Sequence, residues 1–308
     1  MKLTSVKRWI GVSLLAVVLM PGWAAGQGAA GGVVVFGTSL SDPGNAFALT
    51  GQAITAPYDA LDALLVPNAP YARGGHHFSN GATWVEQFAA NIPAFQSTSP
   101  RGTNYAVGGA RARNSGVSVN LSAQVSAFLA DVAGAAPPDA LYVIEMGSND
   151  VRDALADFPN APVILNAALT SISDHLLALY AAGARKFLVL NVPDIGLTPA
   201  VRTLGPGAVQ GAGFLTQSFN ANLENILISA AGLPGIEITR LDVHQKLNEL
   251  VAYPAAFGFN QVEAACITPR VPPFTCQTPD KFLFWDGIHP TRAVHAIIAR
   301  KAVEALAQ

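Results

Sequence analysis

Charge is scarce in this chain. Only 12% of its 308 residues are Asp, Glu, Lys or Arg, the formal net charge is -2, and no Lys/Arg cluster stands in the body of the sequence. Phosphate binding needs a basic surface, so no nucleic-acid partner is expected. Cysteine is scarcer still: Cys266 and Cys276 are the two present. That excludes a scaffold stapled by many disulfides. With no clustered histidines and no HExxH or CxxC motif, the usual zinc patterns are missing too, and neither metal nor cofactor is expected. Internal repeats and low-complexity linkers are lacking, which argues against a modular array. Beyond the N-terminus, no run reads as long and apolar enough to span a membrane.

What is there begins with an export signal. Lys2, Lys7 and Arg8 precede the apolar run Trp9–Met20, and Pro21, Gly22, Ala24, Ala25 and Gly26 form a small-residue cleavage zone. The run is shorter than the roughly 20 residues of a spanning helix. The expected division is a signal peptide at 1–26 and one domain at 27–308, giving an exported protein, periplasmic or secreted. An uncleaved anchor is the alternative. Export favours a disulfide between Cys266 and Cys276, contributing on the order of 3 kcal/mol for so small a loop; two free thiols are the other reading. With 51% hydrophobic residues the chain can fill a sizeable core.

Five apolar runs read as strands: Val33–Phe36, Asn104–Val107, Leu141–Met146, Lys186–Val192 and Ile236–Leu241. Helical spacing of apolar residues marks Ser122–Val132, Pro162–Ala182, Phe214–Ala231 and the segment after Pro290. Strands alternating with helices predict parallel βαβ units in a three-layer α/β/α sandwich with a five-stranded, mainly parallel sheet. Thr50–Pro100 and Tyr253–Trp285 break this rhythm as long irregular stretches, placed to wall a cleft beside the strand ends.

The chemistry centres on VVVFGTSLSDPGN at Val33–Asn45. A strand ending at Gly37 and a helix capped by Ser41 or Asp42 put Ser39 in a tight turn at the carboxyl end of the first strand, where open parallel sheets bind ligands. Near the other end stands FWDGIHPT, with Asp286 and His289 three residues apart, just before a helix that can start at Pro290. A carboxylate that accepts the imidazole Nδ1–H leaves Nε2 free to take a proton from Ser39, as nucleophilic acyl transfer requires. The alternative is that Asp286 caps the helix and His289 packs on Trp285. Gly108-Gly109 and Gly147-Ser148-Asn149-Asp150 each follow a strand. There a backbone N–H and the Asn149 amide are candidate oxyanion donors. His76, His77, His175, His244 and His295 lack a matching carboxylate. Asp194 reads as a loop-forming residue.

These four blocks, in order and spacing, resemble those of the GDSL, or SGNH, hydrolase family. FGTSLSDPGN is similar to its nucleophile block, NYAVGGARA to its glycine block, GSND to its asparagine block and DGIHP to its last block; HFSNGATWVEQFA at His77–Ala89 also looks like a family segment. The resemblance implies a flavodoxin-like fold and an esterase with Ser39 as nucleophile, His289 as base and Asp286 orienting it. It implies an oxyanion hole of the Ser39 and Gly109 N–H groups and the Asn149 amide. Thr38 departs from the family pattern, which has Asp before the serine, and so alters the turn. The expected substrate is a small-molecule carboxylic ester, with short acyl chains. Trp285 is a candidate face for a cationic, choline-like alcohol. Lysophospholipase or acyltransferase use of the same acyl-enzyme, and a non-catalytic binding module on this scaffold, are the competing readings. Oligomeric state has no signature here.

Overall fold

The structure, a computed structural model, describes residues 32–89, 103–116 and 119–308. The expected signal peptide lies outside the described residues. Four strands form one parallel sheet: β1 (Val33–Gly37), β2 (Leu141–Glu145), β3 (Lys186–Leu190) and β4 (Glu237–Leu241), in the order β1-β2-β3-β4. The expected fifth strand, Asn104–Val107, is only an extended segment alongside β1. Val35 donates to Thr103 O, Tyr105 to Val35 O and Val107 to Gly37 O, and its one bridge pairs Asn104 with Val35. The ladder stops short because the segment turns to other partners: Asn104 Nδ2 donates to Ser41 O, and the Asn104 and Ala106 carbonyls accept from Asn45 Nδ2. Counting it as an edge, the order becomes the 2-1-3-4-5 of doubly wound sheets, with the topological switch beside β1.

Nine α-helices complete the described chain: α1 (Asn45–Thr50), α2 (Trp84–Ala89), α3 (Leu121–Asp131), α4 (Ser148–Ala156), α5 (Ala161–Ala182), α6 (Pro199–Thr203), α7 (Pro206–Ala230), α8 (Val243–Ala252) and α9 (Arg292–Leu306). Both sheet faces are covered, so the strands read as continuous apolar runs rather than alternations. Val34, Phe36, Tyr142, Ile144, Phe187 and Val189 pack against α3, α4, α5 and α7. Val33, Val35, Leu141, Val143, Leu188 and Leu190 pack against α2 and α9. Helix α7 begins well before the expected Phe214, with Pro206 in its first turn. Helix α9 begins at Arg292 rather than Pro290.

By length and composition, Phe158–Ala182 could cross a membrane, which corrects the expectation that no such run stands beyond the N-terminus. In the fold its Leu165, Ala168, Ile172, Leu176 and Leu179 belong to the core. A small parallel pair, β5 (Gln261–Ala265) and β6 (Phe282–Phe284), was not expected. It carries the Cys266–Cys276 disulfide, and the two irregular stretches meet there in a satellite core of Ile54, Tyr58, Tyr71, Cys266, Ile267 and Trp285.

Candidate active site

The turn after β1 is held from below by a carboxylate. Glu145, the last residue of β2, accepts the Thr38 N–H, the Thr38 hydroxyl and the Ser41 hydroxyl, each at 3.0 Å. Burial pushes its pKa up to about 7, although these donors favour the charged form. Trp84 Nε1 donates to the same Ser41 hydroxyl at 3.0 Å. Asp42, not Ser41, caps the entry to α1: it accepts the N–H groups of Gly44, Asn45 and Ala46 and also that of Gly108 at 2.7 Å. One side chain thereby ties the serine turn to the glycine loop.

The glycine pair divides its work. A Cβ at Gly108 would stand 2.1 Å from the Phe78 ring, so close packing requires glycine there. Gly109 has open space but a φ of +82°, which favours glycine for conformational reasons. Among the described residues neither the Ser39 nor the Gly109 N–H donates a hydrogen bond. Asn149, in the first turn of α4, donates one amide hydrogen to Ala110 O at 2.8 Å. That fixes its orientation and leaves the second N–H.

Beyond β6 the backbone closes a tight loop, with Trp285 donating to His289 O and Thr291 donating to Leu283 O. Asp286 Oδ1 accepts the N–H groups of Ile288 (2.9 Å) and His289 (2.7 Å), a local turn that brings the ring back over its own carboxylate. His289 Nδ1 then lies 2.7 Å from Asp286 Oδ2, and Nε2 lies 2.8 Å from Ser39 Oγ. Both Asp286 and His289 are buried. The competing expectation, Asp286 as a helix cap, does not match: the carboxylate serves its own loop, and Thr291 occupies the cap position of α9.

A cleft of about 380 Å³ opens over these groups, lined by Ser39, Asn149 and His289 among mainly apolar walls that include Leu64, Val66, Leu155 and Ile195. Part of each irregular stretch lines it, as expected. Trp285 does not. Its ring is buried edge-on against Tyr71 in the satellite core, 2% exposed, so the expectation of an aromatic face for a cationic alcohol is corrected. Asp194 is the loop former expected, accepting the Gly196 N–H.

Sequence reasoning missed four residues. Tyr71 donates its hydroxyl to Asp286 Oδ2 at 2.8 Å across 215 positions, and burial beside that carboxylate raises the phenol's pKa, keeping it a donor. No local signal marks it. Glu145 was legible in principle, as a carboxylate ending an apolar strand. The contacts of Trp84, and the place of Arg152 on the cleft wall, are set by tertiary structure alone.

With this geometry stand three kinds of likeness. Residues 33–302 match the model of the GDSL-like lipase/acylhydrolase family. Among curated relatives, GDSL esterase/lipase At1g73610 of Arabidopsis thaliana is 30% identical over 184 residues, 56% of this chain and 52% of that protein. The thermolabile hemolysin of Vibrio parahaemolyticus is 26% identical over 291 residues, 88% of this chain and 63% of that protein. The match spans about half the length of the first of these relatives. An acetylxylan esterase from Geobacillus stearothermophilus has a solved structure with TM-score 0.46 and 15% identity, covering 91% of this chain and 95% of that one. Since the family match runs from the first strand to the last helix, taking in all four sequence blocks, the chain belongs to the GDSL-like lipase/acylhydrolase family.

Proposed function

We propose that this protein is an exported serine esterase that hydrolyses carboxylic esters through an acyl-enzyme on Ser39. The observation that carries the reading is the continuous line Asp286–His289–Ser39, with contacts of 2.7 and 2.8 Å, the second joining groups 250 residues apart in the chain. Asp286 holds the Nδ1–H tautomer. Nε2 accepts the Ser39 proton as Oγ attacks the ester carbonyl. Negative charge then develops on the carbonyl oxygen, and the N–H groups of Ser39 and Gly109 and the second Asn149 N–H are the donors for it. His289 returns the proton to the leaving alcohol. Water, deprotonated by the same imidazole, releases the acid and restores Ser39.

Acyl groups are short in this reading. The cleft, at about 380 Å³, lies near the lower end of the roughly 300–1,000 Å³ usual for small-molecule sites. The Cys266–Cys276 bond supports export, because disulfides persist in oxidising compartments. With Trp285 buried outside the cleft, no aromatic face from that residue supports a choline-like alcohol.

The test is Ser39→Ala in the purified protein. Turnover of a neutral nitrophenyl ester and labelling by a fluorophosphonate are both expected to vanish, with the urea midpoint unchanged. Retained turnover, or a label on another residue, would overturn the assignment.

A further inference from the structure

The ionisable side chains lining the cleft are Asp62, Glu145, Arg152, Asp194, Lys246 and His289. All but one are engaged. Asp62 accepts the N–H groups of Leu64 and Val66. Glu145 lies under the serine turn, Asp194 holds Gly196, Lys246 pairs with Glu249, and His289 joins Ser39 to Asp286. The Arg152 guanidinium makes no hydrogen bond and no ion pair among the described residues.

Its sequence neighbour does not rescue it. Asp153 is taken by two other guanidiniums, Arg111 at 2.9 Å and Arg113 at 2.7 Å. Arg152 follows Asn149 by three residues on α4, so the two project from one face of that helix, into the same cleft. Burial and the nearby Arg111 both disfavour its charge, opposed only at a distance by Asp153, Asp62 and Asp286. A half-buried cation with no hydrogen-bonded or ion-paired partner, in walls that are mostly apolar, carries a desolvation cost that those distant carboxylates offset only in part. A planar guanidinium offers five donors in a fork suited to two-point binding of a carboxylate or phosphate.

We infer that Arg152 binds an anionic group on the ester, so that the site selects esters carrying a carboxylate or phosphate over neutral ones of the same shape. The inference rests on the esterase reading above and adds the class of substrate to it. A quaternary ammonium alcohol is disfavoured on the same ground.

Two matched pairs test it and distinguish the sources of charge. Nitrophenyl hemisuccinate against nitrophenyl butyrate places the anion on the acyl side. The butyryl ester of glycerol phosphate against that of glycerol places it on the alcohol. In at least one pair the anionic ester is expected to exceed its neutral partner about tenfold or more in kcat/KM, chiefly through KM. Arg152→Met is expected to bring that ratio close to one, and Arg152→Lys to retain part of it. Ratios near one in both pairs for the wild type, or a ratio unchanged in Arg152→Met, would overturn the inference. A second readout needs no variant: succinate or glycerol phosphate should inhibit the wild type competitively, and inhibition by neither also defeats it. Failure to turn over any of the four esters is a different result, which removes the esterase reading itself.

Discussion

Thr38 shows how one residue answers to another far away in the chain. The family pattern puts Asp before the serine, and here the acceptor is supplied from below by Glu145, with Thr38 as its donor. A second carboxylate at that position would face the first at hydrogen-bond distance, and like charges so close cannot both ionise. Thr38→Asp is therefore expected to lose stability and esterase activity, with a larger loss at pH 8 than at pH 5; an equal loss at both pH values would contradict the account in urea titrations. Tyr71 belongs to the same scale. Its hydroxyl steadies the carboxylate that steadies the imidazole. Hydrogen bonds to charged groups contribute about 1.5–3 kcal/mol, so Tyr71→Phe should lower kcat by about tenfold or more with KM little changed, a split a merely structural residue would not show.

At the scale of elements, the working part is the segment 77–89 seen against α9. Ser79 donates to Pro290 O, Asn80 accepts the Arg292 N–H, and the Trp84 N–H donates to His295 Nδ1. While its backbone N–H makes that bond, the Trp84 ring Nε1 donates to the Ser41 hydroxyl. This short stretch thus clamps the loop bearing His289 against the turn bearing Ser39. Trp84→Phe removes the Nε1 donor and leaves a smaller ring at a buried position. It should cost about 1 kcal/mol or more in unfolding free energy, the lost hydrogen bond and the cavity adding, and leave Ser39 less reactive toward a fluorophosphonate. Unchanged labelling kinetics would show that the clamp does not reach the nucleophile. Helices α3, α5 and α9 were legible because their apolar residues recur at three and four. The pair β5–β6 was not, because strands of five and three residues in a proline-rich stretch carry too little pattern.

For the molecule as a whole, two buried groups set opposing pH dependences. Burial pushes Glu145 up to about 7 from 4.5, so between those values the native state keeps a proton that the unfolded chain has released, and stability falls as pH rises. Burial holds His295 down at about 3 against 6.5, with Nδ1 accepting the Trp84 N–H; across that window the unfolded chain binds a proton the native state refuses, and stability falls as pH drops. Each effect is worth a few kcal/mol. Glu145→Gln should flatten the decline toward pH 8, and His295→Gln the decline toward pH 4, in urea midpoints measured across the range. If neither variant alters its limb of the profile, these groups do not govern it.

Composition, hydrophobic period and the ordered blocks by themselves determined the layered parallel fold and the family, and marked Ser39, Asp286 and His289 as the proposed triad. These are local properties: burial on both sheet faces makes strands apolar, and a turn or an Asp-to-His spacing is written within a few residues. Tertiary structure alone decided the rest. The demotion of Asn104–Val107 from strand to edge segment, the burial of Trp285, the support from Glu145, Tyr71 and Trp84, and the unpaired guanidinium of Arg152 each depend on which distant side chain arrives at the contact. A hydrogen bond or a charge is satisfied by neighbours in space, and a linear pattern records only neighbours along the chain.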